Sequence, residues 1–427
     1  MPIDRHKAAL YGSAIAVRLF LFIAFPSLPD LLTGRVEIST PVTSFKRLQE
    51  GLFLYTHNVS PYDGGVFHQA PLLLPLFALL PDPSRSPLAT YLLYVAIDLL
   101  SANALMKIAE TGESVSSRLY TSSRKDSRWN PVAIGAAFLF NPLTIATCIA
   151  RPTSVFTNAA ILLAIAKATD GSTIPFVLAL SFASYLSLYP ILLFPPLVLL
   201  CYDRLTRASD TKKPPQSALQ FSVFRLGELA AAIGTLLYLS YLITGTSWEF
   251  LYSTYGVQLL LPDLTPNVGL WWYFFIEMFD SFREFFLGVF WLHLGSYVGG
   301  LTIRLRSQPL FVTTTLLGLF AIFQPYPSIS STSLYFSLIP LYHHIFPLLR
   351  YPFIATSTLL YATLLGPAFY HLWIYAGSGN ANFFYAITLV WSLGQVVLVG
   401  DLLFAVLRDE WETCERPDMK GKGVRQV

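Results

Sequence analysis

The sequence is poor in charge and in cysteine. Charged residues make up 12% of its 427 residues, roughly half of the ~25% that is usual in a soluble domain. Its three cysteines, Cys148, Cys201 and Cys414, form no CxxC pair, which argues against a disulfide framework and a zinc site. Lys and Arg (28) exceed Asp and Glu (25) by only 3, and these charges do not cluster into a nucleic-acid-binding surface.

Apolar residues are what the sequence has in excess. They make up 54% of the chain, aromatic residues make up 15%, and the mean hydropathy is +0.54, which indicates an integral membrane protein. Apolar runs near the length of a bilayer predict an all-α, polytopic bundle of about twelve transmembrane helices in a single domain, 1–427. The predicted spans are 9–29, 87–109, 132–150, 153–167, 172–187, 188–202, 220–243, 286–303, 309–325, 327–348, 352–371 and 383–407.

The positions of lysine and arginine predict the orientation of these spans. We place 20 of the 28 on one side, and the excess of such residues in cytosolic loops makes both termini cytosolic, with a tail at 408–427. The larger luminal segments are then 30–68, 244–285 and 372–382. The stretch 69–81 is too short to cross and too apolar for a free loop, so we expect it to be re-entrant or interfacial.

The first luminal segment contains a predicted amphipathic helix over residues 42–56. Its apolar positions recur at near-helical spacing, and the helix should lie on the luminal surface. These positions are Val42, Phe45, Leu48, Leu52 and Tyr55. Before this helix, Glu37 is the acid best placed for sugar chemistry, although pairing with Arg35 or capping of the helix would explain it equally well.

A second polar cluster lies at the end of the luminal segment 244–285. Glu277, Asp280 and Glu284 stand at i, i+3 and i+7, which predicts one face of a single helix over 269–286. That face is either the solvated edge of an interfacial helix or a polar rim around a lipid headgroup or peptide. Arg283 could pair with Asp280 or Glu284.

Aromatic and turn residues surround this cluster. Trp271, Trp272 and Tyr273 predict an aromatic belt at the luminal interface, where it could line a lipid entrance. Upstream, Asp263 and Asn267 stand between prolines in a rigid luminal turn.

The third polar cluster lies at 371–389. His371 ends one predicted helix, and Asn380 and Asn382 precede the next, with Asn382 as its expected N-cap. A helix N-terminus with free N–H groups and asparagine donors suits a phosphate or anionic headgroup. A well-capped turn without a ligand would show the same residues.

Catalytic motifs are missing throughout. The chain has no GxSxG, HExxH, P-loop or GxGxxG, and it has no Asp-x-Asp or Glu-x-Asp pair for a glycosyltransferase. No cysteine falls in a predicted luminal segment, so the chain lacks a luminal thiol for acyl transfer. We therefore expect no catalytic residue, no cofactor and no bound metal.

Several long motifs resemble one family, the PIG-U subunits of glycosylphosphatidylinositol (GPI) transamidase. The resemblance covers nearly the whole chain, except the cytosolic loops 110–131 and 203–219. The motifs are RVEISTPVTSFKRLQEG (35–51), VSPYDGGVFHQAPL (59–72), FNPLTIATCIA (140–150), YLSLYP (185–190), VQLLLPDLTPNVGLWWYFFIEMF (257–279) and HLWIYAGSGNANFFYAITL (371–389).

The resemblance implies a non-catalytic subunit in the endoplasmic reticulum membrane that recognises the GPI lipid or the attachment signal peptide. Its implied partners are a cysteine-protease-like catalytic subunit and the T, S and Gaa-type subunits. The family is similar to GT-C glycosyltransferases, including GPI mannosyltransferases, which carry an acidic pair where this chain has only Glu37. On this basis Asn380, Asn382 and His371 would contact phosphate or glycan, with Glu277 and Asp280 near the glycan amine. The alternatives are an active GPI mannosyltransferase and a purely architectural subunit.

Overall fold

The fold is helical throughout the residues that this computed structural model describes, which are 5–82, 86–208, 217–415 and 418. Within those ranges the extended structure is an isolated antiparallel bridge between Ser116 and Thr121. This agrees with the predicted all-α class, because a chain with little water around it satisfies its backbone groups within helices.

The N-terminal half alternates long helices with short ones, and α5, α6 and α7 each begin at a proline. Its α-helices are α1 (Arg5–Ala24), α2 (Leu28–Thr33), α3 (Phe45–Thr56), α4 (Leu73–Ala78), α5 (Pro87–Thr111), α6 (Pro131–Leu139), α7 (Pro142–Ala150), α8 (Ser154–Asp170), α9 (Thr173–Leu186) and α10 (Phe194–Ala208). Short 3-10 helices occupy Lys125–Ser127 and Tyr189–Leu193.

The C-terminal half contains the longest helices. Its α-helices are α11 (Ala218–Ile243), α12 (Glu249–Leu251), α13 (Val257–Leu260), α14 (Trp271–Ile276), α15 (Asp280–Arg304), α16 (Pro309–Phe323), α17 (Ile329–Leu338), α18 (Pro352–Ile374) and α19 (Ala381–Cys414). A π-helix covers Tyr252–Gly256, and a 3-10 helix covers Ile339–Leu348.

Six helices are long and apolar enough to cross a membrane by length and composition: α1, α5, α11, α15, α18 and α19. A seventh span arises if α6 and α7, which meet at an angle of 54°, are counted together. The other predicted spans correspond to the shorter helices α8, α9, α10, α16 and α17. Proline interrupts helices, and Pro175, Pro190, Pro195 and Pro196 lie in or beside α9 and α10. The all-α, multi-pass class is confirmed.

The bundle has a buried centre and an apolar periphery. The centre is built mainly from α5, α8, α10, α16 and α17, where residues such as Leu105, Ile161 and Leu316 are fully buried. In contrast, α11, α15 and α18 expose most of their apolar residues. A helix that is apolar on its outer face faces lipid or another membrane protein.

Charged side chains tie together the end of the bundle where α1 begins and α19 ends. Lys7 in α1 pairs with Glu110 at the end of α5, at 2.7 Å. Arg124, in the connection after α5, pairs with Asp409 and Glu412 in α19, at 2.6 and 2.5 Å. The start of α1 and the end of α19 therefore lie at the same end of the bundle, next to the connection between α5 and α6.

Candidate functional site

An apolar cavity of about 350 Å³ lies between α7, α18, α19 and the connection that follows α2. Its walls are apolar side chains of hydrophobic helices. These side chains leave the space between α7 and the α18–α19 pair incompletely filled. They include Leu143, Val268, Ala362, Phe384, Ile387 and Trp391. A cavity of this size lies in the range that small ligands occupy.

One ion pair lines this apolar cavity. Arg35 and Glu37 follow α2, and the guanidinium donates to both carboxylate oxygens, with Nε–Oε2 at 3.1 Å and Nη2–Oε1 at 2.8 Å. The Glu37 carbonyl accepts from the Ile329 N–H at 2.9 Å, which fixes this connection against α17. Arg35 also lies over the Tyr370 ring of α18. An apolar cavity with a single ion pair at one side suits an amphiphile better than a fully polar ligand.

The pairing of Glu37 with Arg35 is thus confirmed among the alternatives for this acid. Both side chains are mostly buried, with exposures of 23% for Arg35 and 13% for Glu37. Both carboxylate oxygens of Glu37 accept charge-assisted hydrogen bonds from the Arg35 guanidinium. This geometry favours a binding or structural role for Glu37 over a role as a general acid.

The N-terminus of α19 is close in sequence to Phe384, which lines this cavity. Asn380 is its N-cap, with Oδ1 accepting from the Phe383 N–H at 3.2 Å, so the expectation that Asn382 is the cap is wrong. Asn382 lies in the first turn, and its Oδ1 accepts a hydrogen bond from the Tyr273 hydroxyl. Both asparagines are exposed. Phe384, in the same turn, lines the cavity.

His371 lies in the last turn of α18 and is exposed. Its ring stacks on the Tyr375 ring, with the ring centres 5.4 Å apart. The connection from His371 to Asn380 is a tight turn in which Gly377 has a left-handed φ of 64°. The turn therefore keeps the end of α18 and the start of α19 close together, as the sequence suggests.

The predicted continuous helix over 269–286 is wrong. Helix α14 ends at Ile276, and α15 begins at Asp280 after a cap at Phe279 in extended conformation. Glu277 caps α14 and Asp280 opens α15, so the acids do not form one helical face. Asp280 in the first turn of α15 is favourable because it complements the helix dipole.

Arg283 does not pair with Asp280 or Glu284, which was the pairing expected from the sequence. Arg283 instead donates to the Leu261 carbonyl at 2.5 Å and lies over the Phe275 ring. Glu277, Asp280 and Glu284 are exposed. Desolvation and the neighbouring Glu277 carboxylate raise the pKa of Tyr273, and Tyr273 donates to Asn382. The structure thus brings Glu277, Tyr273 and Asn382 together.

Trp271 and Trp272 are buried, so they do not form an exposed aromatic belt. Trp271 donates from Nε1 to the Phe323 carbonyl at 2.8 Å. Trp272 belongs to the hydrophobic cluster of Phe384 and Trp391, which line the cavity. Trp272 therefore supports the cavity wall from behind.

Asp263 and Asn267 have partners within the protein. Asp263 accepts from Arg47 of α3 at 2.9 Å and from the Thr265 N–H at 2.9 Å. Burial opposes ionisation of Asp263, but these hydrogen bonds and Arg47 outweigh it and lower its pKa. Asn267 is fully buried and accepts from the Gly269 N–H at 2.7 Å. Both residues therefore make hydrogen bonds that stabilise the turn before α14.

Sequence reasoning missed a buried ion pair and a polar interior. Arg18 of α1 donates from Nε to Asp98 of α5 at 2.8 Å, with both side chains buried. Nearby, Asn158 donates to Ser330 at 2.9 Å and lines two small cavities. Arg18 and Asp98 are charges inside apolar helices, a signal that could have paired them.

The fold and this site define a class: a multi-pass membrane protein with an apolar, amphiphile-sized cavity beside a capped helix N-terminus. Comparison with known proteins makes the assignment specific. The model of the family "GPI transamidase subunit PIG-U" matches residues 12–391. The chain belongs to the PIG-U family.

Curated relatives agree over almost their full length. The human GPI-anchor transamidase component PIGU is 35% identical over 410 residues, 93% of each chain. The Saccharomyces cerevisiae GPI transamidase component GAB1 is 37% identical over 408 residues, 95% of each chain. The Schizosaccharomyces pombe GAB1 homolog is 35% identical over 430 residues, the whole of both chains. These relatives are transamidase components, which favours that role over a mannosyltransferase.

Proposed function

We propose that this chain is a non-catalytic subunit of the GPI transamidase complex in the endoplasmic reticulum membrane, and that it binds the GPI lipid. The observation that carries the lipid-binding proposal is the apolar cavity with the Arg35–Glu37 pair at its side and the α19 N-terminus beside it. Family membership supports the subunit role.

The two parts of this site match the two parts of a glycolipid. The acyl chains of a membrane lipid are already out of water, so the apolar cavity would hold them by close packing against its walls. A phosphate near the start of α19 is favoured by the free N–H groups and the helix dipole. Asn380 uses Oδ1 for its cap, so Nδ2 is the atom that would donate to that phosphate.

The proposed contact for the cationic amine of the ligand lies in the polar rim. By this rim we mean Asn380, Asn382, His371, Glu277 and Asp280. Glu277, next to Tyr273 and Asn382, would accept from the ethanolamine amine of the glycan, because a charge-assisted hydrogen bond is about twice as strong as a neutral one. Asp280 is exposed and would extend this contact, whereas His371, exposed at the end of α18, would extend the contact to phosphate or glycan. The attachment signal peptide is the other candidate ligand for this rim.

Catalysis belongs, in this proposal, to a separate cysteine-protease-like chain. The two buried cysteines, Cys148 and Cys201, lie inside the bundle, and Cys414 lies at the end of α19. The remaining partners are the T, S and Gaa-type subunits, which would cover outer faces such as those of α11 and α15. Both termini face the cytosol, which is supported by their position at one end of the bundle and by the lysine and arginine distribution.

Ligand binding by Asn380 and Asn382 is tested with variants that keep the helix cap but change the contact with the ligand. Asn380→Asp keeps an N-cap oxygen, because aspartate caps as well as asparagine, but it removes the Nδ2 donor and places a negative charge where phosphate should bind. Combined with Asn382→Asp, it should lower anchor attachment at least tenfold in cells that lack the endogenous subunit. The measurement is the ratio of anchored to unprocessed reporter proprotein.

Two controls make the result specific. Asn58→Gly changes an exposed asparagine of another loop, and glycine accepts its left-handed φ of 57°. The variants must still co-purify with the other subunits in normal amount. Normal attachment by the Asn380→Asp/Asn382→Asp double variant would show that Asn380 only caps the helix and that Asn382 only accepts from Tyr273, and it would favour a purely architectural subunit.

A further inference from the structure

A second cavity, of about 470 Å³, lies at the end of the bundle where α5 and α10 end. It is formed by the last residue of α5, the connection after it, the 3-10 helix Lys125–Ser127 and the last turns of α10. Its lining residues are Thr111, Gly112, Val115, Ser116, Lys125, Asp126, Arg128, Arg204 and Arg207. It is remote along the chain from the residues of the apolar cavity described above.

This cavity is strongly positive. Four of its lining side chains are cations and one, Asp126, is a carboxylate, which leaves three net positive charges. Arg207 donates to the Ser116 carbonyl at 3.0 Å, which holds it at the rim. Within the described part of the chain, Lys125, Arg128 and Arg204 form no ion pair. Because these three cations have no ion-pair partner among the described residues, they give the cavity a positive electrostatic potential.

Besides Asp126, which lines the cavity, two acids lie near these cations and do not neutralise them fully. Asp203, next to Arg204, is fully engaged by Arg118 at 3.1 Å and by Arg306 at 2.5 Å. Glu113 is buried below the cavity, and burial raises its pKa to about 7 although Arg207 and Arg204 oppose the change. At a pH near 7, a carboxyl group with this pKa carries about half of a full negative charge, so Glu113 offsets the cations only in part.

The backbone leaves room for these cations. Gly112 ends α5 with a left-handed φ of 68°, and a Cβ at this position would lie 2.9 Å from Nη1 of Arg128. A side chain here would displace the guanidinium from the cavity. Glycine therefore serves both the end of the helix and the approach of Arg128.

Exposed apolar side chains flank the cations. Leu119 is 54% exposed, Trp129 is 38% exposed and Leu205 is 38% exposed. Tryptophan and leucine beside basic residues are typical of a membrane–water interface, where basic pockets between helices bind anionic headgroups.

We propose that this cavity binds the phosphate groups of an anionic lipid in the cytosolic leaflet. The cytosolic side rests on the topology proposed above, but the binding itself does not depend on the proposed function. Arg204 and Arg207 would hold one face of the phosphate and Lys125 and Arg128 the other, because charge-assisted contacts to phosphate are the strongest that these side chains make.

The test uses the purified full-length chain in phosphatidylcholine nanodiscs. The probe is fluorescent short-chain phosphatidylinositol 4-phosphate, and phosphatidylcholine with the same label is the neutral comparison. The Arg204→Gln/Arg207→Gln and Lys125→Gln/Arg128→Gln variants should each weaken binding of the phosphorylated probe at least tenfold. The charge-matched control is Lys107→Gln/Arg304→Gln, which removes two exposed cations in the helices α5 and α15 that do not line the cavity.

The outcomes distinguish the possible sources of phosphate. Loss of binding in the cavity variants but not in the control supports the proposal, provided that elution and melting temperature are unchanged. Equal affinity for soluble inositol 1,4-bisphosphate would support the phosphate site but overturn the lipid as its ligand. Equal weakening by the control variant, or no preference over phosphatidylcholine, would overturn the site.

Discussion

At the scale of single residues, the interior of this protein is held by charges that are paired. Arg18 and Asp98 are buried together, and Asp203 is held by two arginines. Removing one partner of a buried pair costs about 3–5 kcal/mol, because the other charge is left without water or a counterion. These pairs therefore restrict how α1, α5 and α10 can pack.

Glu113 is buried and forms no ion pair within the described residues, and it gives a prediction on pH. Its folded-state pKa of about 7 lies above the ordinary value of 4.5, so the folded state binds this proton more tightly than the unfolded state. The stability that this provides is lost as the pH rises from about 4.5 through about 7. Glu113→Gln should therefore raise stability at pH 8 by about 1–3 kcal/mol and leave it nearly unchanged at pH 4.5.

The measurement is thermal unfolding of the full chain in detergent across this pH range. Glu110→Gln is the matched control, since Glu110 is an exposed carboxylate that pairs with Lys7. An exposed pair contributes less than about 1 kcal/mol. If Glu113→Gln and wild type lose stability in parallel between these pH values, Glu113 is not the group responsible.

The interactions of single residues were predictable from the sequence where the partners are close in the chain. Arg35 and Glu37 are two positions apart, so pairing was one of the expected outcomes. The cap of α19 was misassigned because Asn380 and Asn382 have the same chemistry, and only the backbone distinguishes them. Arg47 and Asp263 lie 216 positions apart, and no local pattern joins them.

At the scale of helices, the α18–α19 pair decides the shape of the apolar cavity. Gly394 of α19 lies against Leu359 of α18, and a Cβ there would come within 2.9 Å of Leu359 Cγ and 3.3 Å of its backbone N. Gly394→Ala should therefore separate the two helices and destabilise the fold by about 1–3 kcal/mol.

Gly400 on the same helix is the matched control. A Cβ there would have no atom within 4 Å apart from the nearby backbone of its own helix, so Gly400→Ala should be neutral or stabilise the helix by about 0.5–1 kcal/mol. Thermal unfolding of both variants measures the difference. Equal effects of Gly394→Ala and Gly400→Ala would mean that α18 and α19 do not pack closely at Gly394.

Helix positions were predictable because apolar composition carries that information. The amphipathic helix α3 is present, with Phe45 and Leu48 buried on the predicted face. The break between α14 and α15 was missed because the acids at i, i+3 and i+7 fit one helix, whereas tertiary packing separates the two. The cavity is made by helices distant in sequence, so its shape had no sequence signal.

At the scale of the whole molecule, the two ends of the bundle differ. One end presents the rim of Asn380, Asn382 and Glu277, and the other presents ion-paired arginines and the positive cavity of Arg204 and Arg207. This asymmetry is what a subunit needs if it meets a luminal glycolipid on one side and anionic lipids on the other. Family membership was predictable from long motifs, since these carry far more information than composition.

The central claim is that this chain acts at the transfer step of GPI attachment. The most direct test is to deplete the protein in its host, label the cells with radioactive mannose and separate the GPI precursors that accumulate. If the chain acts at the transfer step, complete precursors with terminal ethanolamine phosphate should accumulate, together with unprocessed proprotein. Precursors that stop short of a mannose would contradict this claim and would show that the chain belongs to the assembly of the glycan.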